Sequence, residues 1–92
     1  MATVRLLLFA SAREAAGRRD DVATATTLGE LLGLARSRYG AGFTDVLNAS
    51  RVWVNGDEPA NGEATALCDG DEVAVLPPVS GGAFESATPA LP

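Results

Sequence analysis

Residues Thr3-Val4-Arg5-Leu6-Leu7-Leu8-Phe9-Ala10 place apolar side chains on both sides of a period of two, which predicts a strand. Val4, Leu6 and Leu8 share one face; Arg5, Leu7 and Phe9 share the other. Both faces carry large apolar groups, so the strand is expected to be central. Its second face is then either covered or offered to a partner. Ser11-Ala12-Arg13-Glu14-Ala15-Ala16-Gly17 is Ala-rich and closes on Gly. That fits a single helical turn, capped by Ser11 and stopped by Gly17. Arg18-Arg19-Asp20-Asp21 reads as a solvated connection, and Asp21 to Ala25 as a short second strand, a hairpin partner for the first.

The period then changes. Thr27, three residues ahead of Glu30, forms a capping box. Leu28, Leu31, Leu32, Ala35 and Tyr39 recur at helical spacing, while Glu30, Ser37 and Arg38 fall away from that face. Gly40 is the natural stop. Gly29 and Gly33 weaken this helix by roughly 1 kcal/mol each relative to Ala, a cost that close approach to the sheet would explain. Residues 41–50 read as a connection anchored by Phe43, Val46 and Leu47. Arg51 to Val54 is a third strand, with Val52 and Val54 toward the core and Trp53 on the opposite face. Asn55-Gly56 is a tight-turn signal. Asp57 to Gly62 reads as loop, and Thr65 to Cys68 as a candidate fourth strand. Asp69-Gly70-Asp71 is a turn, where Gly supplies positive φ and Asp bonds backbone. Glu72 to Leu76 is the closing strand. Pro77 and Pro78 end it, because neither has an N–H to give to a sheet.

This order predicts an α+β fold: a mixed sheet of four to five strands with one main helix packed on one face. The core is expected from Val4, Leu6, Leu8, Leu28, Leu31, Leu32, Ala35, Val52, Val54, Val73 and Val75. With the first and last strands adjacent and parallel, the arrangement is a β-grasp, and those two strands end side by side. Residues 1–78 would form the domain, 79–82 a flexible Gly-Gly tail, and 83–92 a C-terminal extension expected to be disordered and open to removal.

Composition narrows the chemistry. A length of 92 residues with 47% hydrophobic content supports one domain with a real core. Net charge is −5, from 12 acids and 7 bases; all seven bases are Arg, with no Lys and no His. An acidic surface disfavours nucleic acid and suits a partner with a basic groove. Without His the chain lacks the commonest general base and metal ligand, and no metal site is expected. Cys68, the lone cysteine, cannot close an internal disulfide or build a Cys-rich metal or cluster site; it reads as a small buried thiol near a strand end. The apolar run at the start is too short to span a membrane, so a cytoplasmic protein is expected.

Four stretches then stand together. They are Leu8-Phe9-Ala10 with Arg13-Glu14 and Gly17; Val54-Asn55-Gly56; Asp69-Gly70-Asp71-Glu72-Val73; and Pro77-Pro78-Val79-Ser80-Gly81-Gly82. In these, residues 3–82 resemble the MoaD family. Its members are small sulfur-carrying subunits of molybdopterin synthase, relatives of the thiamine carrier ThiS and of ubiquitin. The phenylalanine and the Arg-Glu element favour the molybdopterin branch. The resemblance implies a non-catalytic carrier with no cofactor of its own. A MoeB/ThiF-type activating enzyme would use ATP to adenylate the C-terminal glycine, here Gly82. A sulfur donor enzyme would then convert the adenylate to a thiocarboxylate. That group would sulfurate cyclic pyranopterin monophosphate inside a MoaE-type large subunit.

Two glycines suit this task, because an enzyme can close tightly on backbone without Cβ. Pro77 and Pro78 limit the tail's freedom, so less entropy is lost on insertion. The six residues from Pro77 to Gly82 span up to about 20 Å. Leu7, Phe9, Trp53 and Leu76 are expected to make an apolar docking patch beside the tail, with Arg13 and Glu14 either contacting the partner or pairing within their own turn. Ala83 to Pro92 departs from the family pattern, in which the chain ends on the second glycine. Either a processing protease exposes Gly82, or the extension abolishes carrier function. Three alternatives stay open: a carrier for thiamine, cysteine or thio-sugar synthesis; a modifier conjugated to lysines of other proteins; and a β-grasp binding module without carrier chemistry.

Overall fold

A computed structural model describes residues 1–78; the expectations for the tail, Val79 to Gly82, and for the extension, 83–92, lie outside the described residues. The elements are β1 (Ala2–Leu8), α1 (Ala10–Ala16), β2 (Asp20–Ala25), α2 (Leu28–Tyr39), α3 (Ala41–Asn48), β3 (Arg51–Val54), a 3-10 turn at Gly62–Ala64, and β4 (Glu72–Leu76). The strands form one four-stranded sheet in the order β2-β1-β4-β3. β1 runs antiparallel to β2 and parallel to β4, and β3 is antiparallel to β4. First and last strands are therefore neighbours, as a β-grasp requires.

The alternation of β1 decides which face is covered. Val4, Leu6 and Leu8 are buried together with Ala23 and Ala25 of β2 and Val73 and Val75 of β4. Leu28, Leu31, Leu32 and Ala35 of α2, with Phe43 and Leu47 of α3, close over them, and Val52 and Val54 pack at the margin. Nine of the eleven expected core residues are buried in this cluster, and Val52 and Val54 are partly buried against it. The capping box forms at the start of α2: the Glu30 N–H donates to Thr27 Oγ1 at 3.2 Å, and the Thr26 N–H donates back to the Glu30 carboxylate. Gly40, at φ +91°, ends α2 and starts α3.

Several local expectations are corrected. α1 occupies two turns, and its N-cap is Phe9, not Ser11; the Phe9 carbonyl accepts from the Ala12 and Arg13 N–H groups. The helix starts directly off β1, so Ser11 already lies inside it. Gly17 does stop it, at φ +76°. Residues 41–48 are a helix rather than a connection: Phe43, Val46 and Leu47 are spaced i, i+3, i+4, and Phe43 meets Tyr39 edge to face at 5.0 Å. Thr65 to Cys68 is not a strand. It makes one bridge, Ala66 with Thr27, and ties down the start of α2 through Leu28 N–H to the Thr65 carbonyl. Cys68 is exposed, not buried. A Cβ on Gly29 would lie 3.1 Å from Glu63, so its close approach is to the 3-10 turn and not to the sheet; Gly33 faces open space.

Asp21 sits on the covered face in register with Leu6. It accepts from Tyr39 Oη, and from Arg38 Nη1 at 2.8 Å, and lies 3.4 Å from Arg18. Burial opposes its ionisation. The hydrogen bonds from Tyr39, Arg38 and the Val22 N–H outweigh that and, with the Arg18 charge, hold the carboxyl at about 2. Burial and the same carboxylate push the Tyr39 hydroxyl up to about 12. This cluster staples the edge strand β2 to the end of α2. Among the described residues no helix is long and apolar enough to cross a membrane.

Candidate functional site: the open sheet face and the exit of β4

The side chains that alternation turns away from the helices form the other face. Leu7 is in register with Ala74, and Ala74 with Trp53, so three strands contribute one apolar row. Further along the same face Leu76 pairs with Arg51, and Phe9, in extended conformation, follows the end of β1, whose last residue Leu8 pairs with Val75. Phe9 is 45% exposed and Trp53 37%, while Leu7 and Leu76 are half-buried. The structure thus brings Leu7, Phe9, Trp53 and Leu76 onto one face. Behind the row, Arg5 lies between Asp20 at 3.4 Å and Glu72 at 3.7 Å, all three well exposed.

Parallel pairing sets where the tail begins. Leu8 is the register partner of Val75, so β1 and β4 finish at the same edge of the sheet. The chain leaves there through Pro77, half-buried, and Pro78, exposed. At the end of β1 is an open basin of about 350 Å³ lined by Arg5, Leu7, Leu8, Phe9, Arg13, Arg19 and Asp20. Arg13 and Glu14 of α1 are both exposed, and neither forms an ion pair among the described residues. Only Arg13 lines the basin. Arg19 was not expected here. The Leu8 N–H donates to its carbonyl at 2.8 Å, which folds the α1–β2 connection back against the end of β1. A charge run in a loop carries no mark of that return, so the sequence offered no signal for it.

The other end of β4 has the opposite charge. Asp69 accepts from the Thr3 N–H at 2.8 Å, and Asp71 accepts from the Cys68 N–H at 2.8 Å and from Asn55 Nδ2 at 2.9 Å. The Cys68 N–H and then Asn55 lower the Asp71 pKa. The Glu72 N–H completes the clamp by donating to Asn55 Oδ1 at 2.9 Å. Asn55 and Gly56 both have positive φ, the conformation a tight two-residue turn needs. These acids fix the start of β4, and hence the register that aims its end. Among the described residues no three His, Cys, Asp or Glu side chains gather as a metal-ligand set.

This geometry has known counterparts. A family model described as the ThiS family matches residues 6–82. The solution structure of small archaeal modifier protein 1 from Methanosarcina acetivorans superposes with a TM-score of 0.80 at 30% identity, over 89% of this chain and 98% of that one. The crystal structure of the same-named protein from Haloferax volcanii gives 0.77 at 30% identity, over 88% and 100%. The complex of subunits 1 and 2 of molybdopterin-converting factor from Helicobacter pylori gives 0.67 at 25% identity, over 87% and 99%. A comparison with curated protein sequences found no match. The matched residues run from β1 through the β4 exit to Gly82, and the chain belongs to the ThiS family of ubiquitin-like sulfur carriers and modifiers.

Proposed function

We propose that the chain is a cytoplasmic sulfur carrier, the small subunit of a molybdopterin synthase, with Gly82 as the residue that carries sulfur once residues 83–92 are removed. The observation that supports this most is the parallel β1–β4 pair. It brings the chain out at Pro77 on the sheet that also carries an open apolar face, so one partner could hold the domain and receive the residues that follow. The similarity to a subunit found in complex with subunit 2 of molybdopterin-converting factor favours a MoaE-type large subunit as that partner.

The chain's own part is positional. Leu7, Phe9, Trp53 and Leu76 supply apolar area for docking, with Arg13 and Glu14 at the rim. Pro77 and Pro78 stiffen the start of the tail, and Val79, Ser80, Gly81 and Gly82 thread a narrow channel. A free carboxylate is a poor electrophile. In the activating enzyme the Gly82 carboxylate attacks the α-phosphorus of ATP and pyrophosphate departs. The sulfur nucleophile of a donor enzyme then attacks the acyl carbon and AMP departs. ATP belongs to the MoeB/ThiF-type enzyme, not to this chain. Holding the acyl group on a folded protein converts a bimolecular delivery into a positioned one.

A second reading is favoured by the likeness to two structures of small archaeal modifier protein 1: the same activated Gly82 would be transferred to an amine on another protein. Both readings need a free Gly82 carboxylate. Three versions test it: the full chain, a chain ending at Gly82, and that chain with Gly82→Val. Only the second should support ATP–pyrophosphate exchange with the host's activating enzyme and gain the mass of an oxygen-to-sulfur replacement. Exchange by the uncut full chain at the same rate would sink the requirement for trimming. Failure of the Gly82-ending chain with every activating enzyme of its host would sink the carrier reading.

A further inference from the structure

The strand order β2-β1-β4-β3 leaves two outer edges, and they are closed in different ways. At β3 the chain closes its own edge: the Val54 N–H donates to the Asp57 carbonyl at 2.8 Å, and the Asp57 N–H donates back at 3.1 Å. β2 is the longer edge, contains neither Pro nor Lys, and leaves Val22 60% exposed. Such an edge is a template for another strand. The Leu8 N–H donates to the Arg19 carbonyl, and antiparallel bonding alternates from there along the register. Asp21, Ala23 and Ala25 therefore turn their backbone groups to β1, and Asp20, Val22 and Thr24 turn theirs outward. Side chains fold over part of that outward set. The Val22 N–H donates to Asp21 Oδ1 at 2.8 Å, the Val22 carbonyl accepts from Arg38 Nη1 at 3.3 Å, and the Asp20 carbonyl accepts from Arg18 Nε at 3.1 Å. The same Arg38 nitrogen holds Asp21 Oδ2 at 2.8 Å, and Tyr39 donates to that oxygen. One ion pair, reaching from the end of α2, thus takes both outward groups of Val22.

We propose that the Asp21–Arg38 pair guards the β2 edge: it occupies the backbone groups through which β2 would otherwise pair, antiparallel, with β2 of a second copy of this chain. The edge is self-complementary. With Val22 on the two-fold axis, Val22 faces Val22 of the second copy, Asp20 faces Thr24, and Asp21 faces Ala23. No acid then faces an acid, in a chain whose net charge is −5. The residues on the axis form a hydrogen-bonded pair, exchanging N–H and C=O bonds, and these are the two groups that Asp21 and Arg38 hold. A charge-assisted bond must be given up before either group can bond a neighbouring strand. Without the guard, pairing would satisfy both groups by backbone, bring two exposed valines together, and join two four-stranded sheets into one. This property does not depend on sulfur transfer.

Sedimentation of the full chain from micromolar to millimolar concentration tests the guard, with a thermal melt of each sample to establish folding. The unsubstituted chain should stay monomeric. The double variant Asp21→Ala, Arg38→Met vacates both outward groups of Val22, while Met keeps the apolar stem of Arg38. It should dimerise with an affinity at least about ten-fold above that of the unsubstituted chain. Adding Val22→Lys to the double variant should return it to monomer, because two ammonium groups would then face each other across the axis. Arg38→Met alone keeps Asp21 with its Tyr39 and Val22 contacts, and it decides by the same readings if the double variant does not melt cooperatively. Hydrogen exchange of the unsubstituted chain gives a second reading: the Val22 amide should exchange at least about ten-fold more slowly than the Thr24 amide, although both point away from β1. The proposal is overturned if the folded variants stay as monomeric as the unsubstituted chain. It is equally overturned if dimers survive Val22→Lys, or if the Val22 and Thr24 amides exchange alike.

Discussion

The two faces of the sheet are built from the same four strands, and adjacent residues of one strand are put to opposite uses. Asp21 and Asp20 of β2 show it best. Asp21 points to the covered side, where Arg38 lies at 2.8 Å and the carboxylate side chain is only 14% exposed. Asp20 points to the open side, where Arg5 lies at 3.4 Å and both partners are about half exposed. A short, sheltered contact with several donors stabilises; a long pair in water contributes little and can rearrange. The apolar residues divide the same way. Leu6 is buried in the core, whereas Leu7 on the other side is half-buried and Phe9 is 45% exposed. The covered face holds the fold together, and the open face carries large apolar side chains in contact with solvent.

The largest effect should come from the covered face. Leu31 is fully buried between α2 and the sheet. Leu31→Ala removes most of a side chain from a site closed on all sides and should destabilise by about 2–5 kcal/mol. Urea melts measure it. A loss below about 0.5 kcal/mol would mean that this face does not carry the stability assigned to it.

The next effect comes from the polar edge of that face. The folded Asp21 pKa, about 2, lies below its ordinary value of 3.8. The charged form is therefore favoured by folding. Its contribution is complete above pH 3.8 and is lost as pH falls through about 2. The shift corresponds to about 2 kcal/mol, since each unit is worth about 1.4 kcal/mol. Asp21→Asn should flatten that acid limb of stability against pH. Asp20→Asn should leave it in place, changing stability by less than about 1 kcal/mol. Equal acid limbs in the parent and Asp21→Asn would remove the contrast between the two aspartates.

How much of this division was legible in the sequence follows from the range of each signal. Period-two alternation is local, so β1, β3 and β4 and their inward residues could be read directly. The Thr27–Glu30 box and Gly40 bound α2 through contacts a few residues apart. The short helices were harder. In α3 the apolar positions Phe43, Val46 and Leu47 follow a glycine-rich start, and packing against Tyr39 overrides the weak propensity. For the open face, Leu7, Phe9, Trp53 and Leu76 were legible because strand parity alone puts them together once the order is known. Arg19 and the exposure of Cys68 were not, because both depend on how loops fold back. The tail was legible as a motif, carried by a resemblance that residues 6–82 bear out at the level of the family.

The smallest change in stability, and the one that most sharpens the comparison, is expected at Phe9. Phe9 is 45% exposed, follows the end of β1 and lines the arginine-bearing basin. Among the described residues no helix packs over this face, so Phe9→Asp leaves no cavity there, and the melting midpoint should correspond to a change within about 0.5 kcal/mol. The backbone of Phe9 starts α1 through its carbonyl, which the substitution keeps. Asp is also a good N-cap residue, so the helix start should not weaken. Docking should respond differently. A carboxylate at the centre of an apolar contact must be desolvated when the partner closes over it, so affinity for a MoaE-type subunit should fall at least about ten-fold. The nearby Arg13 and Arg19 could neutralise part of that charge. Phe9→Ser, which introduces no charge to be neutralised, separates lost apolar contact from that compensation. Calorimetric titration together with a thermal melt reads both quantities on one sample. An unchanged affinity with an unchanged melt would place the docking surface elsewhere; a lost fold would place Phe9 in the core, against the division of the two faces.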